Sequence, residues 1–247
     1  MRPTSTRTLA PTTRTLASRG SAEQRVREAA IRLFATRGFA ATGIREIAAE
    51  ANIVSSVLYH YYANKDELLL SIMRQGLTQS IATAREVIDG IERPEARLSA
   101  LAQLHVATQA LGALGATVVD NEMRSLTGDA REEIMRLRDD YERLWSECLN
   151  DGLEQETFHF EDARLTRLAL IEMCNGPAHW YHEGGSVPLH TIARTFSDLV
   201  LSTVQARRGG RALTTADLDV PASAAIVEIV RNAVADDHQV APVTQPS

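Results

Sequence analysis

The sequence predicts an all-α protein in two parts: an N-terminal three-helix helix-turn-helix domain and a larger C-terminal helical bundle. Three observations carry that reading. Apolar residues recur at helical spacing through almost the whole chain, and no alternating strand pattern competes. The 28 residues from Thr42 to Leu69 hold two short amphipathic helices, a tight turn and the capped start of a third helix. That layout places a helix in the major groove of DNA. Charge is also divided: residues 1–65 carry ten basic and four acidic side chains, a net of +6, and residues 66–247 carry sixteen and twenty-eight, a net of −12. A basic module on an acidic body suits DNA binding at one end.

Residues 1–20 contain Arg2, Arg7, Arg14 and Arg19, no acid, and the pentad Thr-Arg-Thr-Leu-Ala at 6–10 and again at 13–17. This Thr/Ser/Ala/Pro-rich segment is expected to be a disordered basic arm. It can enter a minor groove or only add phosphate affinity. The domain over 21–64 follows. Ser21 and Gln24 form a capping-box pattern. Val26, Ala29, Ala30, Leu33 and Phe34 line one helix face, Gly38 ends that helix, and Phe39 plugs the core. Thr42 is expected to cap the second helix, whose apolar stripe is Ile44, Ile47, Ala48 and Ala51; Arg45 lies outside the stripe. The turn Ala51-Asn52-Ile53 needs a residue that tolerates positive φ, and asparagine is the next cheapest after glycine.

The recognition helix is predicted from about Val54 to Tyr61, with Val54, Val57, Leu58 and Tyr61 inward and Ser55, Ser56, Tyr59 and His60 outward. Small polar side chains near its start let the backbone sit deep in the groove, and hydroxyl and ring N–H donors further on can bind phosphate oxygens. Val57 could touch a thymine methyl or face inward, and Tyr61 suits the core as well as a phosphate. Asn64 and Glu67 form a second capping box. Lys65, the single lysine among 26 basic residues, lies in the first turn of that helix. A positive charge there opposes the helix dipole, so a phosphate partner is the reason expected for it. The DNA-binding candidates are therefore Thr42, Arg45, Ser55, Ser56, Val57, Tyr59, His60, Tyr61 and Lys65.

The second domain, 65–206, reads as six helices at roughly 65–90, 94–112, 116–126, 129–150, 162–182 and 189–206. In the last, Ile192, Ala193, Phe196, Leu199, Val200, Thr203 and Val204 form one apolar face. Residues 207–247 read as an extension: a loop at Arg207-Arg208-Gly209-Gly210-Arg211, then a short helix at about 221–236.

From Ala29 to Leu69 the chain resembles the DNA-binding domain of TetR-family transcriptional regulators. The matching elements are Ala30, Leu33-Phe34, Gly38-Phe39, Thr42, Ile44, Ile47-Ala48, Ala51, Leu58-Tyr59-His60-Tyr61 and Lys65-Asp66-Glu67-Leu68-Leu69. Asn52 stands where the family usually has a turn glycine, and Val54 where a serine cap is common. The resemblance implies a homodimeric repressor whose C-terminal helical domain binds a small effector and whose last two bundle helices form the dimer interface. Two recognition helices about 34–36 Å apart would read a pseudo-palindromic duplex operator.

Effector-binding candidates are polar or aromatic residues inside apolar helices: Asn121, Glu122 and Arg124, then Trp145, then Asn175, His179, Trp180 and Tyr181. Glu122 and Arg124 also suit a structural ion pair, and Trp180-Tyr181 suit dimer packing. The segment Trp180-Tyr181-His182-Glu183-Gly184-Gly185, with Phe196-Ser197-Asp198-Leu199 beyond it, resembles a TetR subgroup controlling fatty-acid and sterol breakdown. That resemblance implies an acyl-CoA or lipid effector, whose phosphates Arg164, Arg167 and Arg194 could meet. The alternative is an effector-independent, nucleoid-type helical DNA-binding protein, for which a bundle without a cavity is expected.

Other classes find little support. No nucleophile–base pairing or phosphate-binding glycine loop points to an enzyme, and no cofactor is expected. His179 and His182 with Glu183 could hold a metal, but His182 near a helix C-terminus is already favourable to the dipole, so no metal is expected. Cys148 and Cys174 sit in apolar helical patterns without a CxxC and read as a reduced, buried pair. No apolar run reaches the ~18 residues of a bilayer span, and the N-terminus lacks a secretory h-region, so no membrane contact and a cytoplasmic location are expected.

Overall fold

The computed structural model describes residues 21–237, so the basic arm at 1–20 and the last ten residues lie outside the described residues. The helices run in order as α1 (Ala22–Arg37), α2 (Ile44–Glu50), α3 (Ser55–Tyr61), α4 (Lys65–Ile88), α5 (Pro94–Leu111) and α6 (Ala113–Asn121). A 3-10 turn (Glu122–Ser125) leads to α7 (Gly128–Glu154), α8 (Ala163–Asn175), α9 (Pro177–Trp180) and α10 (Leu189–Thr203). Beyond them are strands β1 (Arg207–Arg208) and β2 (Arg211–Ala212), a 3-10 turn (Thr215–Asp217) and α11 (Ser223–Asp237).

The core is in two parts that share α4. Leu68, Leu69, Ile72, Met73 and Leu77 of its first half pack with α1–α3 around Phe34, Phe39, Ile47 and Leu58. Ile81, Ala84 and Val87 of its second half belong to the bundle core around α5, with Leu101, Leu104 and Trp145. The bundle reaches into the smaller core as well, because Val118, Leu126 and Ile134 are buried in it. A helix shared by two cores transmits displacement between them, since packed side chains have few alternative arrangements.

Local chemistry explains most boundaries. Ser21 Oγ accepts from Gln24 N at 3.2 Å and Asn64 Oδ1 from Glu67 N at 2.8 Å, so both N-caps form, but neither box closes: Gln24 donates to Glu28 and Glu67 accepts from Ala63 N. Gly38 ends α1 at φ +84° and Asn52 makes the α2–α3 turn at φ +54°. Three expectations change. The helix expected at 162–182 breaks at Gly176–Pro177, because Pro177 has no N–H to continue the ladder. The stretch expected at 116–126 starts at Ala113 and tightens into a 3-10 turn at Glu122. The loop expected at 207–211 is an antiparallel hairpin pairing Arg207 with Ala212 and Arg208 with Arg211. Its turn, Gly209-Gly210, has φ of +57° and +78°, the geometry of a two-residue hairpin. No described helix is long and apolar enough to cross a membrane.

Candidate DNA-binding face and effector cavity

The recognition helix α3 is held by one fully buried side chain, Leu58. Helical periodicity then turns Ser56, Tyr59 and His60 to solvent and leaves Ser55, Val57 and Tyr61 half-buried. The His60 and Tyr61 rings meet edge to face at 5.3 Å. Val54 does not face inward as expected: it is the N-cap residue, in extended conformation, and 65% exposed. Arg45 on α2 is exposed and makes no hydrogen bond or ion pair among the described residues.

Two candidates on this unit have other partners. Thr42 is 2% exposed, and its hydroxyl donates to the Gly38 carbonyl at 2.9 Å. It neither caps α2 nor stands on the exposed face; Glu46 Oε2 does the capping by accepting from Gly43 N at 2.8 Å. Lys65 Nζ donates to the carbonyls of Phe39 (2.7 Å) and Thr42 (2.9 Å) and lies 4.1 Å from the centre of the Phe39 ring. Its first-turn position is thus explained within the chain, by carbonyl and cation–π contacts that tie α4 to the α1–α2 turn.

The second site is a cavity of about 580 Å³. It is walled by α1, α4, α5, α6, α7, α8 and α11, so one wall belongs to the DNA-binding unit (Arg27, Glu28, Ile31, Arg32). Its buried end carries His105, Gln109 and Tyr141, each under a tenth exposed, with Asn175 beside them. His105 lies 2.8 Å from the Tyr141 hydroxyl through Nδ1 and 2.8 Å from Asn175 Oδ1 through Nε2. Gln109 Nε2 donates to the same Asn175 oxygen at 2.8 Å. An amide oxygen only accepts, so a neutral His105 meets both partners with the proton on Nε2 and with Tyr141 donating to Nδ1.

Burial holds this end free of charge. It pushes the His105 pKa down to about 4, against a smaller opposing effect of the Asn175 hydrogen bond. Burial likewise raises the Tyr141 pKa, so the phenol keeps its proton. Gln109 Oε1 is a buried acceptor with no hydrogen-bond donor among the described residues. Charged side chains on the rest of the wall have partners or solvent: the buried Arg27 donates to Ser71 Oγ at 3.1 Å. Arg32 pairs with Glu50, Glu142 pairs with Arg167 at 2.8 Å, and Asp120 and Glu172 are exposed.

Both units match known sequence families. Residues 26–72 match the family described as "Bacterial regulatory proteins, tetR family", and residues 92–204 match "Tetracyclin repressor-like, C-terminal domain". The chain belongs to the TetR family of transcriptional regulators. This TetR chain is 29% identical over 181 residues to the HTH-type transcriptional repressor KstR2 of Mycobacterium tuberculosis H37Rv, a match covering 72% of this chain and 90% of KstR2. A tetR-family regulatory protein from Rhodococcus RHA1 superposes with a TM-score of 0.70 at 25% identity, over 77% of this chain and all of that one. AibR, solved in complex with isovaleryl coenzyme A and operator DNA, shares the fold at a TM-score of 0.66 and 23% identity, over 73% of this chain and 98% of that one. The family and KstR2 are transcriptional regulators, not enzymes.

Of the eight effector-site candidates, Asn175 alone lines the cavity. Glu122 accepts the Phe39 backbone N–H at 2.9 Å and the Ser125 hydroxyl at 2.7 Å, so it fastens the bundle to the DNA-binding unit rather than facing a ligand. Asn121 and Arg124 are exposed outside the cavity. Trp145 is fully buried one layer behind it, edge-on to His105 at 5.8 Å. His179 and Trp180 are exposed and Tyr181 half-buried, with the Trp180 ring 6.3 Å from that of Phe196. Arg164, Arg167 and Arg194 do not line the cavity either.

His105, Gln109 and Tyr141 were missed by sequence reasoning. A signal existed: Ser99, Gln103, His105 and Gln109 interrupt the apolar residues of α5, and all four are buried. Cys148 and Cys174 are buried free thiols whose pKa values burial pushes up to about 12, which keeps them protonated and unreactive. Among the described residues no group of three His, Cys, Asp or Glu side chains could hold a metal ion.

Proposed function

We propose that this TetR-family chain is a ligand-responsive repressor: a homodimer that holds a pseudo-palindromic operator and releases it when a small hydrophobic effector fills the cavity. The observation that carries the reading is the cavity itself, bounded on one side by α1 of the DNA-binding unit and on the others by the bundle. A ligand there contacts both units at once. It can therefore favour one relative placement of them, and DNA affinity falls by its differential affinity for the two states. A filled bundle is what an effector-independent DNA-binding protein would be expected to have, so the cavity speaks against that alternative.

On the DNA side, Tyr59, His60 and Arg45 are assigned to phosphates and Ser55, Ser56 and Val57 to base edges, with Tyr61 supporting the helix. Dimerisation is assigned to α8 and α10, where Leu165, Leu168 and Leu199 are exposed apolar side chains; Trp180 and Val187 between the two helices extend that surface. The effector class favoured by the likeness to AibR is an acyl-CoA thioester. Its acyl group would occupy the charge-free end, and cavity-rim arginines such as Arg138 rather than Arg164 or Arg194 would meet the phosphates.

The test is selection of bound fragments from the source genome, followed by titration of the protein–operator complex with acyl-CoA thioesters, the free acids and coenzyme A. A two-fold-symmetric consensus released by thioesters but not by coenzyme A supports the reading. Fragments without a consensus, bound equally at every effector concentration, would sink it.

A further inference from the structure

The family match ends at residue 204, yet the described chain continues through β1, β2 and α11. This extension is built into the bundle. Leu213, Ile226, Val227 and Val230 are buried members of the bundle core. A buried hydroxyl chain joins the extension to α10 and α5: Thr215 Oγ1 lies 2.9 Å from Ser197 Oγ, which lies 2.7 Å from Ser99 Oγ. Thr215 N donates to Asp198 Oδ1 at 2.7 Å. Arg208 pairs with the buried Glu95 of α5, and Arg231 with Glu183 at 2.6 Å.

So anchored, α11 turns Val230, Ala233 and Val234, an i, i+3, i+4 stripe, onto the cavity. The neighbouring helix α4 lines the cavity with Gly76, Ser80 and Thr83 as well as Ile72, Leu77 and Gln79. A Cβ at Gly76 would meet nothing within 4 Å. The hydroxyls of Ser80 and Thr83 are already spent on carbonyls one turn back, at 2.8 and 2.9 Å. Where α4 and α11 meet the cavity, α4 leaves open space at Gly76 and α11 supplies apolar side chains, so the bulk at 230, 233 and 234 bears directly on the volume there.

We propose that α11 is the specificity wall of the effector cavity: it limits the length and breadth of the apolar ligand body, whose single uncharged hydrogen-bonding group meets Gln109 and Asn175. This rests on the reading of the cavity as the effector site. An ionised group at the buried end would be desolvated without a charged partner, which excludes it there. A donor such as a hydroxyl can supply the hydrogen bond that Gln109 Oε1 lacks among the described residues.

The test uses the full chain, with N-phenyl-1-naphthylamine as an uncharged fluorescent probe and straight-chain primary alcohols from hexanol to tetradecanol as competitors. Ala233→Trp fills the space beside α11 and is expected to weaken dye binding by about tenfold or more. Val234→Ala lengthens the cavity and is expected to move the best-competing alcohol toward longer chains by about one carbon. If Ala233→Trp does not fold, Val234→Ala decides alone. Dye bound by the wild-type protein, with affinity and chain-length profile unchanged in the variants, overturns the role of α11. Failure of the wild-type protein to bind the dye, any alcohol and any acyl-CoA thioester overturns the effector reading beneath it.

Discussion

On the candidate DNA-binding face Ser56, Tyr59 and His60 keep their polar atoms in solvent, whereas in the effector cavity His105, Gln109 and Tyr141 hold theirs out of it. The first site comes from one local stretch whose side chains project by helical periodicity from a helix anchored by Leu58. The second is assembled from seven helices between α1 and α11. An exposed polar group costs little to place and little to change. A buried one must be paired and kept neutral, so it is coupled to the stability of everything around it. The DNA face is thus free to vary without loss of fold, while the cavity is constrained by the fold itself.

That difference is sharpest at His105. Its pKa lies near 4 in the folded chain and near 6.5 when unfolded. As pH falls below about 6.5 the unfolded chain takes up the proton first, so folding stability drops until the folded pKa is reached. The full loss below pH 4 is about 3 kcal/mol. The measurement is urea unfolding between pH 7 and 4.5 for the wild type and His105→Gln. Titrating carboxylates act in both proteins, so a shallower pH dependence in the variant isolates the histidine. Equal slopes would show that the buried end is not the charge-free place described above.

Glu122 joins the two sites and sharpens the contrast from the other side. Its carboxylate, on the turn after α6, accepts the Phe39 N–H, while Lys65 takes the Phe39 carbonyl from α4. Several α6 residues also wall the cavity, so the Phe39 turn is held by an element that a ligand would push. Glu122→Ala leaves a backbone donor unpaired and is expected to cost about 1–3 kcal/mol of stability. Effector-induced release of the operator should weaken in proportion. Glu122→Gln keeps an acceptor and should recover most of both. Lost stability with unchanged release would mean that coupling runs through α4 alone.

These two residues also show where sequence reasoning stops. Ser21, Gly38, Asn52 and Asn64 were legible because caps and turns depend on neighbours within four residues. The recognition helix was legible for the same reason. The role of Glu122 was not: its partner is 83 positions away. For Lys65, local rules show only an unfavourable first-turn charge; the carbonyls that accept from it lie 23 and 26 residues upstream, out of reach of any local pattern. The cavity failed on the same ground. His105 meets Tyr141 and Asn175, separated from it by 36 and 70 positions, and no local pattern announces that meeting. Pro177 was a local signal overlooked.

Smaller effects belong to the exposed face. Tyr59→Phe removes one hydroxyl from a half-exposed ring and is expected to lower affinity for every DNA sequence alike, by about 1 kcal/mol. Ser56→Ala should change preference between sequences instead. Lys65→Ala is the internal control. Its ammonium is engaged with two carbonyls, so thermal stability should fall by more than the DNA affinity of the remaining folded protein. Competition binding on the selected operator and on single-base variants reads the first two, and thermal unfolding the third. Equal losses on all sequences for Tyr59→Phe and Ser56→Ala would remove the division between phosphate and base contacts.

The smallest effect tests whether the turn between α2 and α3 is as local as the comparison requires. Asn52 sits at φ +54°, where a Cβ is unfavourable and asparagine is tolerated. Asn52→Ala should destabilise the chain by about 1 kcal/mol, since alanine tolerates the left-handed conformation less well than asparagine. Asn52→Gly removes that cost but adds conformational entropy to the unfolded chain, and the two nearly cancel, leaving a change within about 0.5 kcal/mol. In neither variant should the dye affinity of the cavity change. A parallel loss of dye binding in Asn52→Ala would mean that the turn is read by the bundle through α4, and that the DNA face is less independent of the cavity than its exposed side chains suggest.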